Sequence, residues 1–507
     1  MKVHLPLVAL TLCLAHWPGH AEAASDRSAD ELKSVGASYY PPVASVPSGD
    51  EEFKANIYQK LNTPVKRDSP IVLKTGPHLF VDDYLIQTSS NVTRRVNCPK
   101  RDPKIPNPLI TGREDHCVAP YTTVVRDPNT GRFRIWYNTY KEKNKDGTAR
   151  FAYMESKDGI HWIRPHRVLD DPGPINFGSS VIDEGAVFAD PSQRFKLAWW
   201  AGGGLNIAVS ADGLGWSMFR PYPVLRHNHD INNLFWDGPR ERYMATVSVF
   251  TTGPTWKGQR RTTMISASTD LLNWEKPWYV ITADDGVDKD FTQFYAMQGY
   301  LNRGDIMIGL VKVLHDDWVA PETPAGAFGV GYTALAWTRD GQCWVRDLEP
   351  FFEPAPDPDA WDHAHAWLDW QLPVDDEVYI YYGGYKYGHK MDRWEGRQIG
   401  LVKTLRDRYV SRDAGADGGT LRTPPVILRG SKMTVNAAVS GQLRVRLLDK
   451  SGKLIPGFDA DDCQPIHGDS LTHPVQWKAG LSTLHDRPIM IEFILRDVQL
   501  YAFDLLQ

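Results

Sequence analysis

Six acidic residues, Glu114, Asp115, Asp183, Glu184, Asp230 and Asp290, stand at the heads of short aromatic or apolar runs: "EDHCVAPYTTVV", "DEGAVFAD", "DINNLFWD" and "DFTQFYAMQGY". Cleaving a glycosidic bond takes two carboxyl groups facing each other across the sugar, one held protonated as acid and one ionised as base or nucleophile. Four separate runs can supply such a pair only if the fold brings their starts to one point. The same runs carry Asn232, Asn233, Gln293 and Tyr295, whose polar groups could hydrogen-bond hydroxyls. A fifth run, "DHAHAWLDWQ", sets His363 and His365 on one strand face, with Trp367 two residues further.

Each of these residues also has a plainer reading. An Asp at a strand start caps a turn, an amide satisfies backbone, and a histidine packs. Strand alternation lets only one member of the 114/115 pair, and one of the 183/184 pair, face a common axis. No third or fourth ligand accompanies the two histidines, so no metal is expected. Cofactor motifs are missing as well: "GVGYTA" at 329–334 imitates half a dinucleotide fingerprint, but it reads as strand with no helix following.

The elements that must position these residues show themselves as a repeat. "SKDGIHW" (156–162) recurs as "SADGLGW" (210–216), "STDLLNW" (268–274) and "TRDGQCW" (338–344), each with Asp four residues before Trp. A degenerate copy, "LRDRYVS" (405–411), keeps Asp407 and replaces Trp with Tyr409. The Asp carboxylate can cap turn N–H groups, the Gly tolerates positive φ, and the aromatic packs beside the strand. Upstream of each copy lies a strand such as "GRFRIWYNTY" or "QRFKLAWW", and before that the polar-headed run. Three strands before the turn and one after make a four-stranded unit. Five such units predict an all-β chain, a five-bladed β-propeller with the polar-headed strands innermost over 71–425. "GPHLFVDDYLIQ" (76–87) is expected to add the outer strand that closes the ring. After about Pro425 the repeat stops, and alternating segments with Gly and Pro turns predict a small C-terminal β-sandwich over 426–507.

The remaining features set bounds. Lys2, His4, an apolar run from Leu5 to Ala15 and "AEA" at 21–23 read as a signal peptide over 1–23, which predicts a secreted or periplasmic protein. No other apolar run is long enough for a membrane span. Residues 24–70 read as a polar linker, with one short helix at "EEFKANIYQKLN". A net charge of −5 offers no basic surplus for nucleic acid. Of the five cysteines, the four beyond Cys13 permit disulfides without requiring them, Cys98 with Cys117 being the pair close in sequence.

The five turns, the "FVDDYLI" strand, the "VIDEGAVFAD" strand and the trailing sandwich resemble secreted bacterial five-bladed propeller glycoside hydrolases, the clan of invertases, levansucrases and arabinanases. The likeness spans about 75–425. It implies a carbohydrate substrate, with Asp115 in the register of the base and Asp183 in that of the Asp that tunes the acid and orients substrate. The acid is then Asp230 or Asp290. The chain departs from the clan in two places: "RDPNTG" (126–131) sits in a hairpin turn where invertases carry "NDPNG", and the arabinanase "EGP" is missing. Three readings follow: a glycoside hydrolase, a carbohydrate-binding or scaffold propeller without catalysis, and a lyase or phosphorylase. A phosphorylase would want clustered Arg or Lys, which the polar-headed runs lack.

Overall fold

The computed structural model describes residues 69–140, 149–227, 229, 231–389, 391–392 and 394–507. The expected signal peptide, nearly all of the expected linker with its helix, and Asp230 lie outside the described residues. Those residues form an all-β structure in several sheets, with three short 3-10 turns and no α-helix. Among the described residues no helix is long and apolar enough to cross a membrane.

Three sheets run in chain order. The first holds Ala119–Arg126, Phe133–Thr139, Arg150–Ser156 and Arg167–Val168. The second is led by Phe177–Asp183, followed by Phe195–Ala201 and Gly204–Ser210, and the third holds Asn232–Asp237, Arg242–Gly253, Trp256–Ser268 and Trp278–Ile281. A seven-stranded sheet follows. Its first part is Thr292–Arg303, Ile306–Val319, Phe328–Thr338 and Val345–Phe352. One parallel pairing, Gly331 with His365, joins these to His365–Val374, Glu377–Tyr385 and Arg397–Leu405.

The repeated turn explains how neighbouring sheets lock together. Ser156, Ser210, Ser268 and Thr338 each donate to the following Asp at 2.9–3.0 Å. That carboxylate oxygen then accepts two backbone N–H groups; at Asp270 they are Leu272 N at 2.8 Å and Asn273 N at 2.7 Å. The residue after the Asp takes positive φ in each of the four full copies: 74° at Gly159, 75° at Gly213, 65° at Leu271 and 72° at Gly341. The aromatic four residues on packs toward the preceding sheet. Trp216 meets Phe151 edge-on at 6.2 Å, and Trp274 joins the apolar layer between the second and third sheets. Trp344 joins the layer with Met244 and Ile265 of the third sheet. Trp162 meets Tyr381 at 6.3 Å, which links the first sheet to the strands after 365. Tyr409, in the degenerate copy, packs with Leu310, Leu335 and Trp337.

The leading strand of each group neighbours the next: 119–126 lies by 177–183, that by 232–237, that by 292–303, that by 365–374, and the last by 119–126 again. Hydrogen bonds cross these seams. Val181 N donates to Thr123 Oγ1 and Leu234 N to Ser180 Oγ, both at 2.9 Å, and Thr122 N to Asp369 Oδ2 at 2.5 Å. Asp369 also pairs with Lys312, both essentially inaccessible to solvent.

Two expectations about the chain's ends change. The strand Gly76–Leu79 pairs with the C-terminal Ile489–Leu506 rather than with an outer propeller strand. The segment that runs along Arg397–Leu405 is instead 100–110, through Lys100 to Lys403 and Ile110 to Ile399. The C-terminal sheet has ten strands and takes in residues 71–96 and 410–428 as well as those after 432. Its apolar residues from both chain ends, including Phe80, Leu85, Phe493 and Phe503, make one core. All four cysteines of the described part are free thiols; Cys98 is exposed while Cys117 is buried.

Candidate functional site

The leading strands point the same way. Ser179, near the start of the second, donates to Asn138, which pairs with Ala119 at the start of the first. At the opposite end Glu184 accepts from Tyr243, whose partner is Trp236 near the end of the third. The strand starts therefore share one end, and an apolar group made of Ala119, Tyr121, Ile231, Tyr295, Ala296, Leu314 and Trp367 lies among them.

The described acids do not gather at that end. Asp183 closes its strand instead of opening it, because the strand is Phe177–Asp183 and "EGAVFAD" is a loop in which Val187 is exposed. Arg194 clamps Asp183 at 2.6 and 2.7 Å, and Lys196 holds Glu184 at 2.6 Å. Asp115 is buried under the 111–117 loop. Both its oxygens accept from Arg164 at 2.9 Å, and Oδ2 also takes Thr111 N. Glu114 is exposed and also meets Arg164. Asp290, at φ 49°, is exposed and accepts from Trp318 Nε1 at 2.9 Å. Hydrogen bonding of this kind engages the three described members of the catalytic expectation, Asp115, Asp183 and Asp290, as turn and clamp residues in their present contacts.

The amides and aromatics do gather. Tyr295 stacks on Trp367 with centroids 4.9 Å apart, and His365 meets Trp367 edge-on at 4.7 Å. Both ring nitrogens of His365 and both amide atoms of Asn232 are buried without a hydrogen-bond partner, and so is Asn233 Oδ1. Gly178, at φ 67°, lets the backbones approach: a Cβ there would lie 2.8 Å from Asn232 N. Gln293 is satisfied internally, accepting from Arg261 Nη1 at 2.9 Å and donating to Asp316 at 2.6 Å. His363 faces two carbonyls, Ala355 O and Pro321 O, each at 2.8 Å, so it ties loops rather than lining the mouth.

Several mouth residues carry no mark in the polar-headed runs. Arg261, second of the "RR" within the 256–268 strand, donates from Nε to His229 Nε2 at 3.1 Å and pairs with Asp316 at 3.2 Å. Because Nε2 accepts, His229 carries its proton on Nδ1 and donates to Ser248 Oγ at 2.8 Å. Burial, with the charge of Arg261, pushes His229 down to about 3; burial, with that of Arg397, does the same to His365. Both rings are neutral at pH 7 and act as directional hydrogen-bonding groups. His389 lies 4.9 Å from Tyr295 and 5.6 Å from His365. His229 and His389 stand in the segments outside the strands and Arg261 in a polar stretch of its strand, so none of the three carries a periodic signal. Among the described residues no three His, Cys, Asp or Glu stand close enough to hold a metal.

No family model matches the sequence, and no curated protein matches it. Among solved structures the chain is similar to an N-acetylgalactosamine deacetylase from F. plautii in complex with blood group B trisaccharide. The identity is 14% and the TM-score 0.41, over 63% of this chain and 97% of the other. It is also similar to a glycosyl hydrolase from Bacteroides ovatus, at 14% identity and TM-score 0.40, over 62% and 95%. A third is a structure from a family of mannoside phosphorylases that contains glycoside hydrolases targeting β-1,2 mannosidic linkages, at 15% and 0.40, over 67% and 97%.

Proposed function

We propose that the sheets from 119 to 405 are the blades of a five-bladed propeller and that the shared end of their leading strands is the saccharide site of a secreted or periplasmic glycoside hydrolase. The cyclic order of the leading strands and the equivalent placing of the turn aromatics support the propeller. The observation that carries the saccharide reading is the Tyr295–Trp367 stack set beside the unpartnered groups of His365 and Asn232. A sugar offers an apolar C–H face to aromatic rings and hydroxyls to neutral donors and acceptors, and this mouth holds both in one place. A net charge of −5 offers no basic surplus for nucleic acid, so it is not proposed as a partner.

Hydrolysis further needs two carboxyls. Asp316 is one at the mouth, partly exposed and held by Arg261 and Gln293, and it is proposed as the second member of the pair. Asp230, two residues before Asn232 in sequence, is proposed as the acid. The test is release of reducing ends from a glycan panel by wild type, Asp230→Asn and Asp316→Asn. Each variant should lose at least about 10²-fold in turnover. Activity of Asp230→Asn at the wild-type rate would remove that residue from the role.

Binding without catalysis is the second reading. It is favoured by the engagement of Asp115, Asp183 and Asp290 by Arg164, Arg194 and Trp318. Retained glycan binding with no cleavage of any glycan by wild type would select it.

A further inference from the structure

Seven cationic side chains, five Arg and two Lys, are buried among the described residues. Arg260, Arg346, Arg408 and Arg412 each pair with a carboxylate, Asp285, Asp288, Asp469 and Asp83 in turn. Lys196 and Lys312 pair with Glu184 and Asp369. Arg397, 6% exposed, has no carboxylate partner. Its Nη1 donates to Val118 O at 3.0 Å and its Nη2 to His389 O at 3.1 Å, while Nε has no partner. The carboxylates of the adjoining sheets are already held, Asp115 by Arg164 and Asp369 by Lys312.

A buried charge without a counterion is strongly disfavoured, and two carbonyl dipoles compensate it only in part. The position says what should complete it. Arg397 opens its strand directly across from Tyr385, which is itself paired with His365, so the guanidinium stands at the mouth end. It lies over the Tyr385 ring at 5.0 Å, and His365 meets Tyr385 at 4.8 Å. A planar guanidinium edge fits a carboxylate with two parallel hydrogen bonds, and the aromatic rings beside it fit a sugar face.

From this arrangement we infer that the mouth takes an acidic saccharide, a sugar bearing a ring carboxylate, and that Arg397 is the residue that selects it. The inference rests on the saccharide reading of the same site. A free phosphate would meet the charge but would leave the rings unused.

The test compares matched pairs, glucuronate with glucose, galacturonate with galactose and mannuronate with mannose, by ligand-observed NMR titration of the whole protein, with inorganic phosphate as competitor. At least one acidic sugar should bind about 10- to 100-fold more tightly than its neutral counterpart, the scale of a charge-assisted bidentate contact. Arg397→Gln should abolish that preference and leave the neutral sugar within about 3-fold. Should that variant fail to fold, Arg397→Lys keeps the charge without the planar edge and should cut the preference about tenfold. Equal binding of every acidic and neutral partner overturns the inference and leaves the saccharide reading standing. A preference that survives Arg397→Gln also overturns it. Phosphate bound where no uronate binds reassigns the cation to phosphate, and binding of no sugar of either kind overturns both readings.

Discussion

Tyr295 lies against Trp367 with ring centroids 4.9 Å apart and planes 27° from parallel, although one comes from the 292–303 strand and the other from the 365–374 strand. The indole is fixed from behind, since Trp367 Nε1 donates to Val313 O at 2.9 Å. Trp367→Phe removes that hydrogen bond and leaves a smaller ring at a buried position, so it should cost about 1–3 kcal/mol of stability. Tyr295→Ala should weaken glycan binding at least about tenfold, measured by calorimetric titration beside a melting curve that confirms folding.

The Asp115–Arg164 clamp gives a prediction of the opposite kind. Asp115→Asn leaves Arg164 with a neutral partner at a site where the carboxylate is buried and the arginine about one-third exposed. Stability should fall by about 1–3 kcal/mol in denaturant titration, while kcat on any cleaved glycan stays within about 3-fold. A turnover loss of 10²-fold without loss of stability would return Asp115 to the role of base.

Lys312 and Asp369 form an ion pair out of contact with solvent, and burial pushes the lysine down and the carboxyl up from their ordinary values. Lys312→Met alone strands Asp369 and should cost about 3–5 kcal/mol. The double variant Lys312→Met with Asp369→Leu should recover most of that loss, and equal melting of single and double variants would contradict the account.

Three buried histidines set a pH dependence. Burial pushes His227, His229 and His365 down to about 3. The unfolded chain takes up these protons below about pH 6.5 whereas the folded chain holds off until about 3, so their contribution is present above 6.5 and lost as pH falls through that window. Stability measured from pH 7 to pH 4 should fall by up to about 1.4 kcal/mol per pH unit for each group, and the His365→Phe variant should show a shallower slope.

The turn repeat was fully legible, because one Asp, one residue at positive φ and one aromatic make a local structure whose hydrogen bonds are closed within six residues. Asp270 with Ser268, Leu272 and Asn273 needs nothing from elsewhere. The strand start in the second sheet was not legible. "SSVIDEGAVFAD" alternates well enough to be read one strand too late, and only pairing with Phe195–Ala201 decides that Asp183 ends the strand. Asn232, Tyr295, His365 and Trp367 came from the polar-headed runs because those runs do coincide with the strands 232–237, 292–303 and 365–374. Arg261 and Arg397 escaped, since their importance lies in partners brought from other sheets or withheld. The closing segment escaped for a similar reason: 100–110 pairs through isolated bridges and has no strand pattern of its own.

The central claim is that sugar binds among the strand starts at 232, 292 and 365. The most direct measurement is a crystal structure of the protein with a glycan selected from the panel. The account predicts a sugar ring within van der Waals distance of the Tyr295–Trp367 pair and hydrogen-bonded to His365 or Asn232. Glycan found at the opposite end beside Asp183 and Glu184, or on the C-terminal sheet with this mouth untouched, would contradict it.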